Sequence, residues 1–401
     1  MQSVREAQQI LLQQIQPLAP EIAPLSSSSL GWVLAEDVIS DIDMPPFDKS
    51  MMDGYAMRAE DLANGKGTFT LAEEVMAGQT PSKSVMTGQV TRIMTGAPIP
   101  DGADAVVMIE RTSVVEGKVQ IEDQPPKPGQ HILKRGREMK VGDVVLTKGS
   151  RLRPQEFGLM AAVGKTAAQM IPAPRVSILS TGDEIIEPFM KPGPGQIRNS
   201  NGPMLSAQVS RAGGVPRFLG IAQDSEESLR SYLKEALEAD IVILSGGVSA
   251  GQKDLVPAVL QELKVQAHFH KVKMKPGKPV FFGTRGTTAV FGLPGNPVSS
   301  LVCFELFVRP AIRKMMNQAS HLPTFRKLPL TDPFSYRSDR PTYYPARISS
   351  DEGLEKVTLL PWFGSADLRG LSRANGFAHI EPGDHQFSAG TILAVMSVDG
   401  E

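Results

Sequence analysis

The segment Asp240–Asp254, DIVILSGGVSAGQKD, decides the fold, because an apolar run typical of a buried strand leads directly into a glycine-rich loop. Such a loop combines free backbone N–H groups with small side chains, so it can wrap a phosphate. A second unit follows at Val290–Ser300, VFGLPGNPVSS, where a strand-like run ends in a rigid turn and Pro297 suits the first turn of a helix. Together these units predict an anion-binding crevice.

Between the two units lies Lys271–Pro279, KVKMKPGKP, which alternates cations and apolar residues and then stiffens at two prolines. A strand would place three lysines on one face: Lys271, Lys273 and Lys275. Two interpretations stay open, since such lysines could protect a solvated edge strand from aggregation or could bind an anion. We favour the anion, because Pro276 and Pro279 would pre-order Lys275 and Lys278 beside the crevice.

Composition bounds the class of protein. The 401 residues suffice for about two to four domains, and 41% hydrophobic with 21% charged residues is ordinary for a soluble globular chain. With 42 basic against 43 acidic residues, neither nucleic acid nor a membrane surface is expected as a partner. The single cysteine, Cys303, excludes an intrachain disulfide, and the N-terminus has no apolar signal core; both indicate a cytoplasmic protein.

The N-terminal part predicts a helix followed by β structure. Ser3 and Glu6 form the pattern of a capping box, which predicts a helix that runs to the break at Pro17. The pattern from about 68 to 121 is β-like, with a hairpin expected around Gly117. A proline near its start and a glycine at its end indicate another helix over 153–164.

From Arg175 the sequence alternates strand and helix patterns, which predicts a largely parallel α/β sheet. The expected strands lie at 176–179, 218–221 and from 241, and the expected helices at 203–212, 225–239 and 297–316. After about residue 323, short strand-like runs separated by glycine turns predict a small β-barrel or sandwich.

Carboxylates follow several of these strands, where an open α/β sheet binds its ligands. The candidates are Glu184, Asp224 and Asp254. Gathered around a phosphate, they would supply the hard oxygen ligands that Mg²⁺ prefers. Alternatives stay open, since Asp224 could cap the next helix together with Glu227, and Asp254 could cap the helix after its loop.

Two other kinds of site are not supported. The sequence lacks both the P-loop motif and the G-x-G-x-x-G dinucleotide fingerprint. His268 and His270 share a strand face, but no third ligand follows at metal-site spacing. Phosphate binding would therefore depend on the Ser-Gly-Gly and Pro-Gly-Asn-Pro loops.

These loops and three further motifs resemble the molybdopterin molybdenumtransferases of molybdenum cofactor synthesis, a family that includes the C-terminal domain of gephyrin. The further motifs are PFDKSMMDGYA at 46–56, MTGAPIPDGADAVV at 94–107 and RNSN at 198–201. The chain departs from the family at Lys49 and Met51, where asparagine and alanine are usual, and at Gln252, where a small or acidic residue is common.

The resemblance implies an α/β and β multidomain fold. A central three-layer α/β molybdopterin-binding domain would occupy 174–322, and a β-rich N-terminal insert domain 44–138. A discontinuous linking and dimerisation domain would comprise 1–43 and 139–173, and a C-terminal β-barrel domain 323–401. The resemblance also implies a homodimer in which the N-terminal motif of one subunit completes the partner's α/β site.

It implies a reaction as well: adenylyl-molybdopterin and molybdate give molybdenum cofactor and AMP, assisted by Mg²⁺. The cation would polarise a phosphoryl oxygen, and the soft dithiolene sulfurs would take the metal from its oxyanion. A molybdopterin adenylyltransferase would deliver the substrate. Two alternatives stay open, a non-catalytic pterin-binding scaffold and a molybdopterin adenylyltransferase, although the motifs at Asp53 and Thr95 argue against the latter.

Residue roles follow from the resemblance position by position. The residues implied to be catalytic are Asp53, Thr95, Glu184, Asp224, Asp254, Lys271 and Lys275, with Asp224 and Asp254 as magnesium ligands. Those implied to border the ligand are Thr181, Ser245, Gly246, Gly247, Ser249, Lys278, Pro294, Pro297, Ser299, Arg347 and Ser365. Arg347 and Ser365 would meet molybdate, although a surface charge and a loop serine stay open for them. Asp53, Thr95 and Glu138 would act across the dimer interface.

Overall fold

A computed structural model of the chain describes residues 1–247, 255–351 and 353–398. The chain forms two compact units, each assembled from separate pieces of the sequence. The first unit comprises Met1–Ala35, Gly149–Arg153 and Ala168–Glu401, and the second comprises Glu36–Lys148 and Pro154–Ala167. Among the described residues, no helix combines the length and the apolar character needed to cross a lipid bilayer.

The first unit begins with helix α1 (Val4–Gln14), which confirms the predicted capping box. The hydroxyl of Ser3 accepts from the backbone N–H of Glu6 at 3.2 Å, and the Glu6 carboxylate accepts from the Ser3 N–H at 2.7 Å. Leu11 and Ile15 carry the apolar face of this helix into the main core. Two short strands follow, β1 (Glu21–Pro24) and β2 (Val33–Leu34).

The second unit is rich in β structure, as predicted. Its strands are β3 (Val38–Ile39), β4 (Lys49–Ser50), β5 (Gly54–Met57), β6 (Lys66–Val75), β7 (Gln89–Ile93), β8 (Ala105–Met108), β9 (Thr112–Val115), β10 (Lys118–Glu122), β11 (Ile132–Leu133) and β12 (Val144–Leu146). Six of them form a sheet in the order β8-β5-β7-β6-β10-β9. The hairpin of β9 and β10 is confirmed, since Glu116 and Gly117 both take the positive φ of a two-residue turn. The helix predicted over 153–164 is α2 (Pro154–Ala162).

The α/β domain of the first unit is confirmed. Strand β13 (Ala167–Ile171) precedes this domain and pairs with β2. The strands of the domain are β14 (Arg175–Thr181), β15 (Ile185–Ile186), β16 (Ile197–Arg198), β17 (Val215–Ala222), β18 (Ile241–Ser245), β19 (Gln266–Lys271), β20 (Pro279–Arg285) and β21 (Thr288–Leu293). Its helices are α3 (Asn201–Ala212), α4 (Glu226–Ala236), α5 (Val256–Glu262), α6 (Pro297–Cys303) and α7 (Arg309–Met315). The sheet order is β17-β14-β18-β21-β20-β19; the first four strands are parallel, and β20 and β19 extend them antiparallel.

Helices cover both faces of this sheet, which gives the three layers that the resemblance implies. Strand β18 shows why, because consecutive residues of a strand point to opposite faces. Ile243 belongs to a cluster with Leu205 of α3, whereas Leu244 belongs to a second cluster with Leu229 of α4. All four side chains are buried, so both interfaces contribute to the hydrophobic core.

The helix predicted over 297–316 has the expected extent but is not regular. A π-helical turn at Phe304–Val308 connects α6 to α7. Pro310 is the second residue of α7. It lacks a backbone N–H, and its ring crowds the preceding turn, so a widened turn accommodates it. Cys303, the last residue of α6, is fully buried, and burial raises the pKa of its thiol, as expected of a structural cysteine.

The C-terminal part of the first unit is a nearly closed β-barrel, as predicted. Its elements are β22 (Phe325–Pro329), β23 (Phe334–Ser338), β24 (Thr342–Asp351), β25 (Leu354–Leu359), the short helix α8 (Leu368–Leu371), β26 (Gly376–Ile380), β27 (Gly383–Phe387) and β28 (Ile392–Ser397). Five strands pair in the order β22-β28-β26-β24-β25. The sheet curls back on itself, because just beyond β22 the N–H of Thr331 donates to the carbonyl of Val357 in β25 at 2.9 Å.

Candidate functional site

A cavity of about 630 Å³ lies at the carboxyl ends of the four parallel strands. One loop from each strand contributes to its wall. The lining residues include Thr181, Gly182 and Glu184 after β14, Asp224 after β17, Ser245, Gly246 and Gly247 at the end of β18, and Pro294, Gly295, Asn296 and Pro297 after β21. We call this the carboxylate cavity. Thr181 and Ser245 are the last residues of their strands rather than loop residues, and both are buried.

A second cavity of about 610 Å³ adjoins it. Its lining includes the cations Lys275, Lys278 and Arg340, the hydroxyls of Ser299 and Ser365, and the aromatic residues Tyr336, Tyr344, Trp362 and Phe363. We call this the lysine cavity. Pro279, Pro294 and Asn296 line both cavities, so the two form one continuous cleft. The structure therefore brings Glu184, Asp224 and Lys275, three of the residues predicted from the sequence, into a common cleft.

Gly246 lets the loop after β18 pass close to β14. Its φ is +95°, and a Cβ atom built there would lie 2.6 Å from the carbonyl oxygen of Thr181. Only glycine fits this conformation and this contact, and the backbone is thereby free to approach a ligand. The Gly246 N–H donates to the carbonyl of Leu293 at 3.1 Å, which ties the loop to the end of β21.

Two asparagines brace the wall of the carboxylate cavity. The amide of Asn201 donates to the Ser245 hydroxyl at 2.8 Å and to the Gly295 carbonyl at 2.7 Å. The Oδ1 atom of Asn199 accepts from the Ser180 hydroxyl at 3.1 Å. Three buried polar atoms beside these bonds find no hydrogen-bond partner among the described residues: Thr181 Oγ1, Asn199 Nδ2 and Asn201 Oδ1. Because buried polar groups are rarely left unpaired, this wall suits a polar ligand.

The carboxylates of this cavity repel one another. Asp224 lies on an exposed loop, but partial desolvation and then the neighbouring charges of Asp183 and Glu184 raise the pKa of its carboxyl. The alternative role of Asp224 as a helix cap is wrong, since the N-cap of α4 is Ser225, whose hydroxyl accepts from the Ser228 N–H at 3.3 Å. Asp224 is thus left to face the cavity.

The donor chemistry here fits Mg²⁺, because clustered carboxylate oxygens gain most from a hard divalent cation. Within residues 1–247, 255–351 and 353–398, no three His, Cys, Asp or Glu side chains form a set that could hold a metal ion. Two of the predicted ligand-contacting residues, Ser249 and Asp254, lie outside the described residues. Glu184 and Asp224 are therefore the part of the predicted magnesium site that the structure describes.

The lysine-rich segment keeps its alternation although strand β19 ends at Lys271. Val272 and Met274 are buried, and Lys273 is exposed between them. The backbone of Lys275 is held by the barrel, since its N–H donates to the Pro341 carbonyl at 2.8 Å and its carbonyl accepts from the Tyr343 N–H at 2.7 Å. Its ammonium lies 5.3 Å from the ring centre of Tyr336, within cation–π range. Lys271, at the end of an edge strand, is not among the described residues that line either cavity.

The barrel contributes Ser365 to the cleft, whereas Arg347 lies elsewhere. The Asn296 amide donates to the Ser365 hydroxyl at 2.9 Å, and the Val298 N–H donates to the Ser365 carbonyl at 3.0 Å, so the turn after β21 positions this serine. Arg347 is exposed on β24 and is absent from the described lining of both cavities. Arg340 is the arginine that lines the lysine cavity.

Asp53, Thr95 and Glu138 belong to the second unit. Asp53 accepts two hydrogen bonds from Thr95, so these two predicted residues are brought together. Glu138 lies 4.0 Å from the ammonium of Lys49, one of the positions that depart from the family pattern.

Sequence reasoning missed several lining residues. Asn199 and Asn201 stand in the RNSN motif and could have been found from it, since that motif connects the end of a strand to the start of a helix. Arg340 and Trp362 have no local signal. They reach the cleft because the barrel folds back on the lysine segment, a contact between parts of the chain far apart in sequence.

Comparison with known proteins identifies the class. Residues 2–164 match the family described as MoeA N-terminal region (domain I and II), residues 177–314 match "Probable molybdopterin binding domain", and residues 327–398 match MoeA C-terminal region (domain IV). The fold and the cleft thus define a multidomain protein built around a molybdopterin-binding type of α/β domain.

The relatives narrow this class to one family. A molybdopterin molybdenumtransferase of Staphylococcus aureus is 33% identical over 403 residues, covering 99% of this chain and 96% of that protein. Molybdopterin molybdenumtransferase 2 of Mycobacterium tuberculosis is 35% identical over 420 residues, covering 99% of this chain and 100% of that protein. The crystal structure of the molybdopterin biosynthesis moeA protein of Pyrococcus horikoshii superposes with a TM-score of 0.80 at 32% identity, covering 99% of this chain and 100% of that one. The chain belongs to the molybdopterin molybdenumtransferase family.

Proposed function

We propose that this protein is an enzyme that inserts molybdenum into adenylyl-molybdopterin and releases AMP, giving molybdenum cofactor. The observation that carries the proposal is the continuous cleft, which has carboxylates at one end and cations at the other. A pyrophosphate flanked by carboxylates suits the first end, and an oxyanion such as molybdate suits the second. The names of the relatives support the same assignment.

The residues of the chain would bind and orient the substrates. Backbone N–H groups of the loop at Gly246 and Gly247 would cradle the phosphates, and Asn201 would fix that loop through Ser245. Glu184 and Asp224, with Asp254, would hold Mg²⁺, which when bound supplies a Lewis acid that neutralises phosphate charge.

The lysine cavity would hold the oxyanion. Lys275, Lys278 and Arg340 would bind it, with the Ser365 hydroxyl as a further donor. The aromatic wall at Tyr336 and Trp362 would exclude water from the place where dithiolene sulfurs displace oxygen from molybdenum. We also propose that the protein acts as a homodimer, that Asp53, Thr95 and Glu138 contribute across its interface, and that a molybdopterin adenylyltransferase delivers the substrate.

An AMP-release assay tests the proposal. Purified protein incubated with adenylyl-molybdopterin, molybdate and Mg²⁺ should release AMP and yield a pterin that reconstitutes a molybdenum enzyme. Asp254→Ala and Glu184→Gln should abolish both signals and retain the fold, whereas Asp384→Asn, an exposed carboxylate of β27, should not change them. A protein that binds the pterin but releases no AMP under these conditions would be a scaffold, and the proposal would be wrong.

A further inference from the structure

We infer that a third cavity of the first unit, lined by four arginines, is a second anion-binding site for a small molecule that carries more than one phosphate group. The cavity has a volume of about 580 Å³. The arginines are Arg151, Arg309, Arg313 and Arg326. None of its described lining residues lines the cleft of the carboxylate and lysine cavities, so it is a separate site.

The fold converges these arginines from three directions. Arg309 and Arg313 are four residues apart on α7, so they share one face of that helix. Arg326 lies in strand β22 of the barrel, and Arg151 lies in the segment Gly149–Arg153 that belongs to this unit. Four guanidinium groups that converge on one wall raise the local positive potential, which attracts anions.

Two of these arginines also pair with carboxylates of the chain. Arg309 contacts the buried Glu305 carboxylate through Nη1 at 3.1 Å, and Arg326 contacts Glu355 through Nη1 at 2.5 Å. A guanidinium carries five N–H donors in a planar fork, so an arginine that pairs with a carboxylate through one nitrogen still has donors for a second anion. The site thus depends on the convergence of the arginines and not on their being unpaired.

The lining also indicates the chemistry of the ligand. The planar guanidinium matches phosphate in bidentate geometry, and the hydroxyls of Ser320, Thr324 and Ser397 add neutral donors. The volume lies within the range of about 300–1,000 Å³ typical of small-molecule sites, which is more than a single oxyanion fills. A pyrophosphate group, free or as part of a phosphate ester, fits both observations.

Calorimetry on the full-length protein with inorganic pyrophosphate tests the site. The titrations are made in a Lys275→Ala background, so that binding at the lysine cavity is weakened. Arg313→Gln and Arg326→Gln should each weaken pyrophosphate binding about tenfold or more, which corresponds to loss of a charge-assisted hydrogen bond. Lys327→Gln is the matched control, since Lys327 is exposed, adjoins Arg326 in sequence and is not among the described lining residues. Orthophosphate should bind more weakly than pyrophosphate.

Two further arms keep the result decisive. Arg313→Lys retains the charge without the planar fork, so its affinity for pyrophosphate should lie between that of the parent protein and that of Arg313→Gln. It takes the place of Arg313→Gln if that variant fails to fold. The acidic residues Asp399 and Glu401 follow Ser397 in the sequence, so the titration is repeated in Asp399→Asn/Glu401→Gln protein to remove competition from the chain's own carboxylates. Three outcomes would each overturn the inference. The arginine variants could bind pyrophosphate as tightly as Lys327→Gln does, or pyrophosphate could fail to bind both with the natural C-terminus and with Asp399→Asn/Glu401→Gln. The third outcome is equal affinity for pyrophosphate and orthophosphate. AMP release by the arginine variants reports separately on the proposed function.

Discussion

The carboxylate of Asp53 accepts two hydrogen bonds from Thr95, one from its backbone N–H at 2.7 Å and one from its hydroxyl at 2.7 Å. Both bonds stabilise the ionised carboxylate, so they lower the pKa of Asp53, the backbone bond most, although the group is exposed. The pair joins the loop before β5 to the turn after β7, two motifs that the sequence analysis singled out together.

Removing the Thr95 hydroxyl should raise the pKa of Asp53. In Thr95→Val the backbone N–H remains and the hydroxyl bond is lost, so the pKa of Asp53 should rise part of the way toward the ordinary value of 3.8. Because the pKa of Asp53 is depressed in the folded state, the pair stabilises the fold at pH values above the ordinary pKa. That contribution is lost as the pH falls through the lowered pKa. NMR titration of the carboxyl carbon measures the shift. Thr112→Val is the control, since its hydroxyl donates to the Ile109 carbonyl in the same unit; a pKa of Asp53 that is identical in wild type and Thr95→Val would contradict the assignment.

Lys275 and Lys273 should behave differently although they are two residues apart. Lys275 lines the cleft and contacts Tyr336, whereas Lys273 is exposed and is absent from the described lining. Lys275→Ala should weaken binding of adenylyl-molybdopterin by about tenfold to a hundredfold, the usual cost of a lost charge-assisted bond, and Lys273→Ala should leave it unchanged. Calorimetry with each variant decides between the two interpretations of the lysine segment, because lysines that only protect an edge strand would give equal and small effects in both.

The sequence could predict the fold wherever local chemistry and tertiary packing agree. The capping box at Ser3, the hairpin at Gly117 and the loop at Gly246 each depend on a few adjacent residues, and the structure confirms their positions. The alternative that Asp224 caps α4 was wrong, because Asp224 and Ser225 are adjacent residues that can both act as an N-cap. In the structure the N-cap is Ser225. Arg340 could not be predicted, since its place in the cleft follows from long-range pairing between the barrel and the segment at Lys275.

The carboxylate of Asp224 should make stability depend on pH and on Mg²⁺. Its folded-state pKa is raised, so its contribution to stability is fully present below the ordinary value of 3.8 and is lost as the pH rises through the raised pKa. Asp224→Asn should therefore melt at a higher temperature than wild type at neutral pH without metal, and the difference should vanish in acid. Mg²⁺ should raise the melting temperature of wild type more than that of the variant. Thermal melts between pH 3 and 8 measure both effects, with Asp384→Asn as the control because Asp384 is an exposed carboxylate. If Asp224→Asn melts below wild type at neutral pH, Asp224 is not under repulsion.

Two glycines of the carboxylate cavity provide a matched test of backbone strain. At Gly246 an added methyl group would lie 2.6 Å from the Thr181 carbonyl oxygen in a backbone with φ of +95°, whereas at Gly295 the nearest atom to such a group is 3.8 Å away. Gly246→Ala should destabilise the protein by about 1–3 kcal/mol, because the loop must either hold a strained conformation or move away from β14. Gly295→Ala should leave the unfolding free energy nearly unchanged. If the loop moves, Gly246→Ala also displaces the N–H groups proposed to cradle phosphate, so pterin affinity should fall together with stability. Denaturant unfolding and calorimetry on the two variants separate backbone strain from simple filling of the cavity. Filling alone would weaken pterin binding in Gly295→Ala without lowering its stability. Equal destabilisation of both variants would contradict the strain at Gly246.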